Sequence, residues 1–111
     1  MELEDRVNSS ELIVIGHSGL MTSTGGSMNA EIEIETVLKG STGSRRIPLA
    51  FSTFGRMPAA EFERGERCFF FLQALKTAAP PVYGLVGDDL RAIIPFSNRV
   101  FQEVQAFLAA G

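Results

Sequence analysis

Ala30-Glu31-Ile32-Glu33-Ile34-Glu35, running on through Thr36-Val37-Leu38 to Lys39-Gly40, alternates apolar and acidic residues with period two. Successive side chains of a strand point to opposite faces, so this stretch sets Ala30, Ile32 and Ile34 on one side and three carboxylates on the other. A later stretch, Gly65-Glu66-Arg67-Cys68-Phe69-Phe70-Phe71-Leu72, reads as a different kind of strand. Three consecutive aromatics put rings on both of its faces, so one face lies in a core and the other needs a cover. A half-exposed strand followed by a doubly apolar one predicts a small β-barrel.

Working outward, Leu12-Ile13-Val14-Ile15-Gly16 is a β-branched, nearly continuous apolar run, expected as a first strand buried on both sides and continuing toward Met21. Thr22-Ser23-Thr24-Gly25-Gly26-Ser27 connects it to the alternating strand, and Lys39-Gly40-Ser41-Thr42-Gly43-Ser44 reads as a hairpin loop. A third strand is predicted over residues 46–54. Pro48 within it lacks a ladder donor, which places it at a rim, a bulge or an edge, with the barrel partly open there. Residues 59–65 hold a short helical turn, and residues 67–75 form the fourth strand. Runs at 82–86 and 90–94 flank Gly87-Asp88-Asp89, read as a hairpin turn.

Both ends read as helical. Leu3 and Val7 lie one turn apart in a polar stretch. At the other end Ser97 is positioned to cap a helix whose apolar stripe is Val100, Phe101, Val104, Phe107 and Leu108, with Phe96 and Phe101 spaced as a hydrophobic staple. The expected plan is a single domain over residues 1–111: a helical turn at about 2–8, a barrel at about 11–95 and a helix at about 97–110. Five or six short strands with little helix suit an all-β, OB-like barrel.

Composition narrows the function classes. The 111 residues suffice for one core, with nine Phe and no Trp as its aromatic material. A net charge of -3 with a single adjacent basic pair, Arg45-Arg46, supplies no field for phosphate backbones, so nucleic acid is an unfavoured partner. One cysteine, Cys68, excludes an internal disulfide and any multi-cysteine zinc site. No apolar run reaches the roughly 20 residues that span a bilayer, so membrane insertion is not expected.

The order of signals resembles a known group. Ser10-Glu11-Leu12-Ile13-Val14-Ile15-Gly16, then Val37-Leu38-Lys39-Gly40, then Phe62-Glu63-Arg64-Gly65-Glu66-Arg67 leading into Phe69-Phe70-Phe71-Leu72, is similar to the netrin-like domains of the tissue inhibitors of metalloproteinases, and more closely to their bacterial OB-fold relatives, many of them secreted. The resemblance covers roughly residues 12–94. It implies an OB-type barrel and an extracytoplasmic location, periplasmic or secreted, if a leader was trimmed. The inhibitors of that group chelate a protease's zinc through an amino-terminal cysteine. This chain begins Met1-Glu2-Leu3, so that mechanism does not carry over.

No catalytic constellation is expected. His17 is the only histidine and reads as a plain loop or barrel-end residue; pairing it with a nucleophilic Cys68 conflicts with the strand parity that sets Cys68 beside Phe70 and Leu72 in the core. Glu31, Glu33 and Glu35 read as a solvated face paired across to Arg45 or Arg46 in preference to a cation site. OB barrels bind ligands on the face of strands two and three and at the loops joining strands one to two and four to five. Here that maps to residues 22–28, 51–56 and 79–83, with Phe54, Arg56 and Tyr83 as candidate ligand-binding residues. The function expected is a non-enzymatic module without cofactor or metal, contacting a protein partner through its loops, as a monomer or weak homodimer. The rival is an oligonucleotide- or oligosaccharide-binding domain that stacks its ligand on Phe54 and Tyr83 and binds anionic groups with Arg45, Arg46 and Arg56. A structural domain of a larger protein is a third reading.

Overall fold

A computed structural model describes residues 2–53, 55–75 and 82–110. The chain runs α1 (Leu3–Ser9), β1 (Leu12–Thr24), β2 (Ser27–Lys39), β3 (Arg46–Ser52), α2 (Ala60–Glu63), β4 (Cys68–Leu75), β5 (Val82–Leu85), β6 (Ile93–Pro95) and α3 (Asn98–Ala110). Strand order β1-β2-β3-β5-β4, with β4 pairing back to β1, closes a five-stranded barrel, and β6 adds to the far edge of β4. All pairings are antiparallel except β3 with β5. This is an OB-like barrel with a helix at each end of the chain.

β1 does the closing. Its residues Leu12 to Gly16 pair with β4 on one side while the strand pairs with β2 on the other. A strand shared between two sheets must bend, and three register shifts against β2 supply the bend. Gly16 sits at one of them: a Cβ there would lie 2.2 Å from the Glu33 carbonyl oxygen, so only glycine lets the strands approach this closely. A second shift sets Gly19 and Leu20 as the extra length between Ser18 and Met21, which lets both flanking residues face inward.

The seam expected to be open at Pro48 is closed, and the proline still marks it. Pro48 stands opposite Glu31, a position whose backbone nitrogen faces away from β2, and the β3–β5 junction beyond it consists, among the described residues, of one bridge pair, Leu49 with Tyr83. The predicted hairpin at residues 87–89 is not formed. Gly87 and Asp88 take φ of 69° and 50°, residues 86–88 and 90–92 form two 3₁₀ turns, and the Asp89 side chain accepts from the Arg91 N–H at 2.9 Å. The chain is thereby turned past β5, and β6 pairs with β4 instead, Ile93 opposite Phe70.

The three phenylalanines of β4 define two cores, all fully buried. Phe70 meets Phe62 edge-on at 5.8 Å and Phe62 meets Phe51 at 6.1 Å, inside the barrel. Phe69 stacks on Phe96 at 5.3 Å, and Phe71 on Phe69 at 6.5 Å, on the opposite face. That face is covered from within the molecule. The Ser97 hydroxyl accepts the Val100 N–H, starting α3, and Phe96 packs on Phe101 as the staple requires. Cys68 is a buried free thiol.

Candidate functional site

The acidic face of β2 is knitted into its neighbours. Glu33 lies opposite both His17 on β1 and Arg46 on β3, and its carboxylate meets His17 Nε2 at 2.8 Å and the Arg46 guanidinium at 3.0 Å. Arg46 also reaches Glu31 at 4.0 Å, and Glu35 meets Arg67 at 2.8 Å, whose guanidinium lies over the Phe96 ring. The expected pairing to Arg46 is present, and Arg67 is a partner the sequence did not reveal. Glu31 and Glu33 thus share Arg46 across the β2–β3 pair, and Glu35 has Arg67, which stands just before β4. Among the described residues no group of three or more His, Cys, Asp or Glu is arranged to hold a metal ion.

His17 follows Gly16, the strand partner of Cys68, but adjacent residues of a strand face opposite ways. His17 is on the outer, charged face and Cys68 in the interior. Burial, with Glu61 and Glu66 adding to it, pushes the Cys68 thiol up to about 11, which makes it a poor source of thiolate.

Between these ion pairs and the β1–β2 hairpin the outer surface is apolar. A hollow of about 460 Å³ is lined by Leu20 and Thr22 of β1, Asn29 of β2, Pro48 of β3 and Val82 of β5, with Glu31 and Arg46 on its rim. Leu20 is 82% exposed, the most exposed large hydrophobic residue of the described chain. A second hollow of about 430 Å³ adjoins across Arg46, Ile47 and Pro48, and reaches Tyr83 and the Ser41-Thr42-Gly43-Ser44 loop. A third, of about 510 Å³, lies where β3 and β5 end, among Ser52, Thr53, Arg56, Asp88, Asp89 and Arg91.

The candidate ligand-binding residues are dispersed. Arg56 is exposed in the third hollow, where its N–H donates to Thr53 O at 2.8 Å and closes a tight turn with Gly55 at φ 75°. Tyr83 lines the second hollow, and at 7% exposure it belongs mostly to the core. Phe54, like residues 79–81, lies outside the described residues. The structure does bring residues 22–28 to the end of β3: Ser27 pairs with Ser52, and both the Thr53 N–H and hydroxyl donate to Gly26 O. Leu20 and Val82 are surface residues that the sequence reading missed, and Pro48 was read only as a rim, bulge or edge position of β3. The signal available for Leu20 was an apolar residue beside a glycine in a polar strand.

Compared with known protein families and with curated proteins, the chain matches none of them.

Proposed function

We propose that this barrel is a non-enzymatic binding module that takes a protein partner on the outer face of β1, β2 and β3 and on the adjoining barrel loops. The observation that carries the reading is the joined pair of hollows around Pro48, with Leu20 standing at their edge. A large apolar side chain exposed beside a concave, mostly apolar surface is what a protein contact covers. The nucleic-acid rival needs cations free to meet phosphate and rings free to stack on bases. Of the groups that rival would use, Arg46 is already held by Glu33 and Glu31 and Tyr83 is buried, while Arg45 and Arg56 are exposed.

The finer kinship, a netrin-like or inhibitor-like domain of extracytoplasmic location, is part of the same proposal. It is supported by the barrel order β1-β2-β3-β5-β4 together with the sequence stretches that resemble that group. Affinity capture with the native chain, Leu20→Lys and Arg56→Ala, each at low and moderate salt, tests the reading. A protein retained at both salts by the native chain, confirmed by reciprocal capture and lost from Leu20→Lys, is expected. Salt-labile nucleic acid lost from Arg56→Ala instead would transfer the assignment to the rival.

A further inference from the structure

β1 is paired on both sides over only part of its length. From Leu12 to Gly16 it lies between β2 and β4; beyond Gly16, among the described residues, its strand partner is β2 alone. Ser18 is still covered, since its hydroxyl donates to Phe62 O and Gly65 lies against its carbonyl. Past the bulge at Gly19 and Leu20, Met21-Thr22-Ser23-Thr24 runs out to the hairpin turn with one edge that no described strand covers.

The register fixes which backbone groups face that edge. Gly25 and Gly26, at φ 56° and 85°, form a two-residue turn that closes on Thr24 and Ser27 as a hydrogen-bonded pair. Bonded and non-bonded pairs alternate along an antiparallel ladder, so Thr22 is bonded to Asn29 while Met21 and Ser23 turn their N–H and C=O groups away from β2. Two donors and two acceptors are thus presented as a template for another strand.

The composition of the edge selects the strand. Natural sheet edges are protected by charge, by proline or by a bulge, and here the bulge ends at Leu20 while residues 18–24 carry neither charge nor proline. Such an edge meets its own copy with no like charges opposed. A two-fold axis at Thr22 sets Met21 opposite Ser23 of the second copy and Ser23 opposite its Met21. Both are positions that exchange two backbone bonds, so every outward group is used. Thr22 then faces Thr22 as the close, non-bonded pair between them, a pairing that strands favour. Leu20, on the same outer face as Thr22, is carried over the second copy's hairpin.

We propose that the chain forms a two-fold homodimer by antiparallel pairing of residues 21–23 of β1 about Thr22. The pairing follows from the backbone register and not from the proposed partner of the neighbouring hollow, although Leu20 and Thr22 also line that hollow. Sedimentation velocity of the full chain from about 1 μM to about 1 mM is the test. The native chain is expected to pass from monomer to dimer within that range. Thr22→Lys opposes two ammonium groups at the axis, and Thr22→Glu two carboxylates. Each is expected to weaken the dimer by roughly 100-fold or more, and an equimolar mixture of the two to re-form a dimer. Thr22 is exposed, so circular dichroism melting serves to show both variants folded. A native chain that stays monomeric throughout, leaving the edge to a foreign strand, would overturn the proposal. A Thr22→Lys variant that dimerises like the native chain, or a mixture that fails to associate, would do the same.

Discussion

Gly16→Ala isolates the close approach that lets β1 serve two strands. The added Cβ would stand 2.2 Å from Glu33 O, 3.1 Å from Glu33 C and 3.3 Å from Ile34 Cα, all backbone atoms of the central strand. Ordinary contact begins at 3.4 Å, so β1 and β2 must part by about 1.2 Å at a point where both are held by further strands. Overpacking that side chains can relieve costs about 1–3 kcal/mol; a clash with backbone alone belongs at or above the top of that range, about 3–4 kcal/mol. Against a total of roughly 5–15 kcal/mol this is a large fraction, and it corresponds to a melting temperature lower by about 10–15 °C. Gly19→Ala is the matched control. Its Cβ finds Glu31 O at 3.5 Å, an ordinary contact, and the expected change is within about 0.5 kcal/mol. Urea unfolding of both variants, extrapolated linearly to water, measures the difference. Two variants of equal stability would refute the account of Gly16 as the crossing point of the barrel.

Phe62→Ala removes the ring that joins Phe51 to Phe70 and is expected to lower the unfolding free energy by about 3–5 kcal/mol, read from the same urea titration. Cys68 is expected to be inert to thiol reagents in the native chain and reactive after denaturation; equal reactivity in both states would contradict its burial. Its raised folded pKa gives a stability contribution fully present below the unfolded thiol's value of roughly 8.5 and lost as pH rises toward about 11, so Cys68→Ala is expected to show a flatter alkaline stability profile. Asp89 has the opposite sign. The Arg91 N–H, aided by Arg6, holds its carboxyl below the usual range, so its contribution is present above the unfolded value of roughly 3.9 and lost as pH falls through the folded one. Asp89→Asn is expected to unfold with a shallower acid limb, and an unchanged limb would count against the assignment.

How much of this was legible follows from the range of each interaction. The period-two run of β2, the aromatic run of β4 and the stripe of α3 are local patterns, and all three elements form where those patterns lie. The hairpin expected around Gly87-Asp88-Asp89 failed because a turn signal states that the chain reverses, not which strand it reverses toward. Positive φ at Gly87 and Asp88, with Asp89 capping Arg91, redirects the chain so that Ile93 lies opposite Phe70. That outcome depends on β4 having a vacant edge next to a buried phenylalanine, which no neighbouring residue records. The residues read as a polar connection, Thr22 to Ser27, are the end of β1 and the start of β2 around a two-residue turn. Thr22 and Ser23, on opposite faces of β1, are both exposed, which fits polar residues at a strand end that leaves the barrel.

The candidate site shows the same limit more sharply. Arg56 and Tyr83 were grouped because each lies in a segment, 51–56 or 79–83, that maps to the ligand-binding face and loops of OB barrels, but sequence order says nothing of how deeply a side chain is drawn in when the barrel closes. Among the described residues β5 joins β3 through one bridge, Leu49 with Tyr83, and that pairing sets Tyr83 in the core. Arg46 was read as a partner of the acidic face of β2, and only under the rival reading as a site for anionic groups; the pairing is what forms. The same closure sets β1, β2 and β3 in a register where Glu33 faces His17 on one side and Arg46 on the other. Once those charges satisfy one another, the polar chemistry of the outer face is spent internally. What the face still offers is apolar area around Leu20, Pro48 and Val82, and the uncommitted backbone of β1 beside it. Both are the grounds for the proposed contacts with polypeptide, one through side chains and the other through strand pairing.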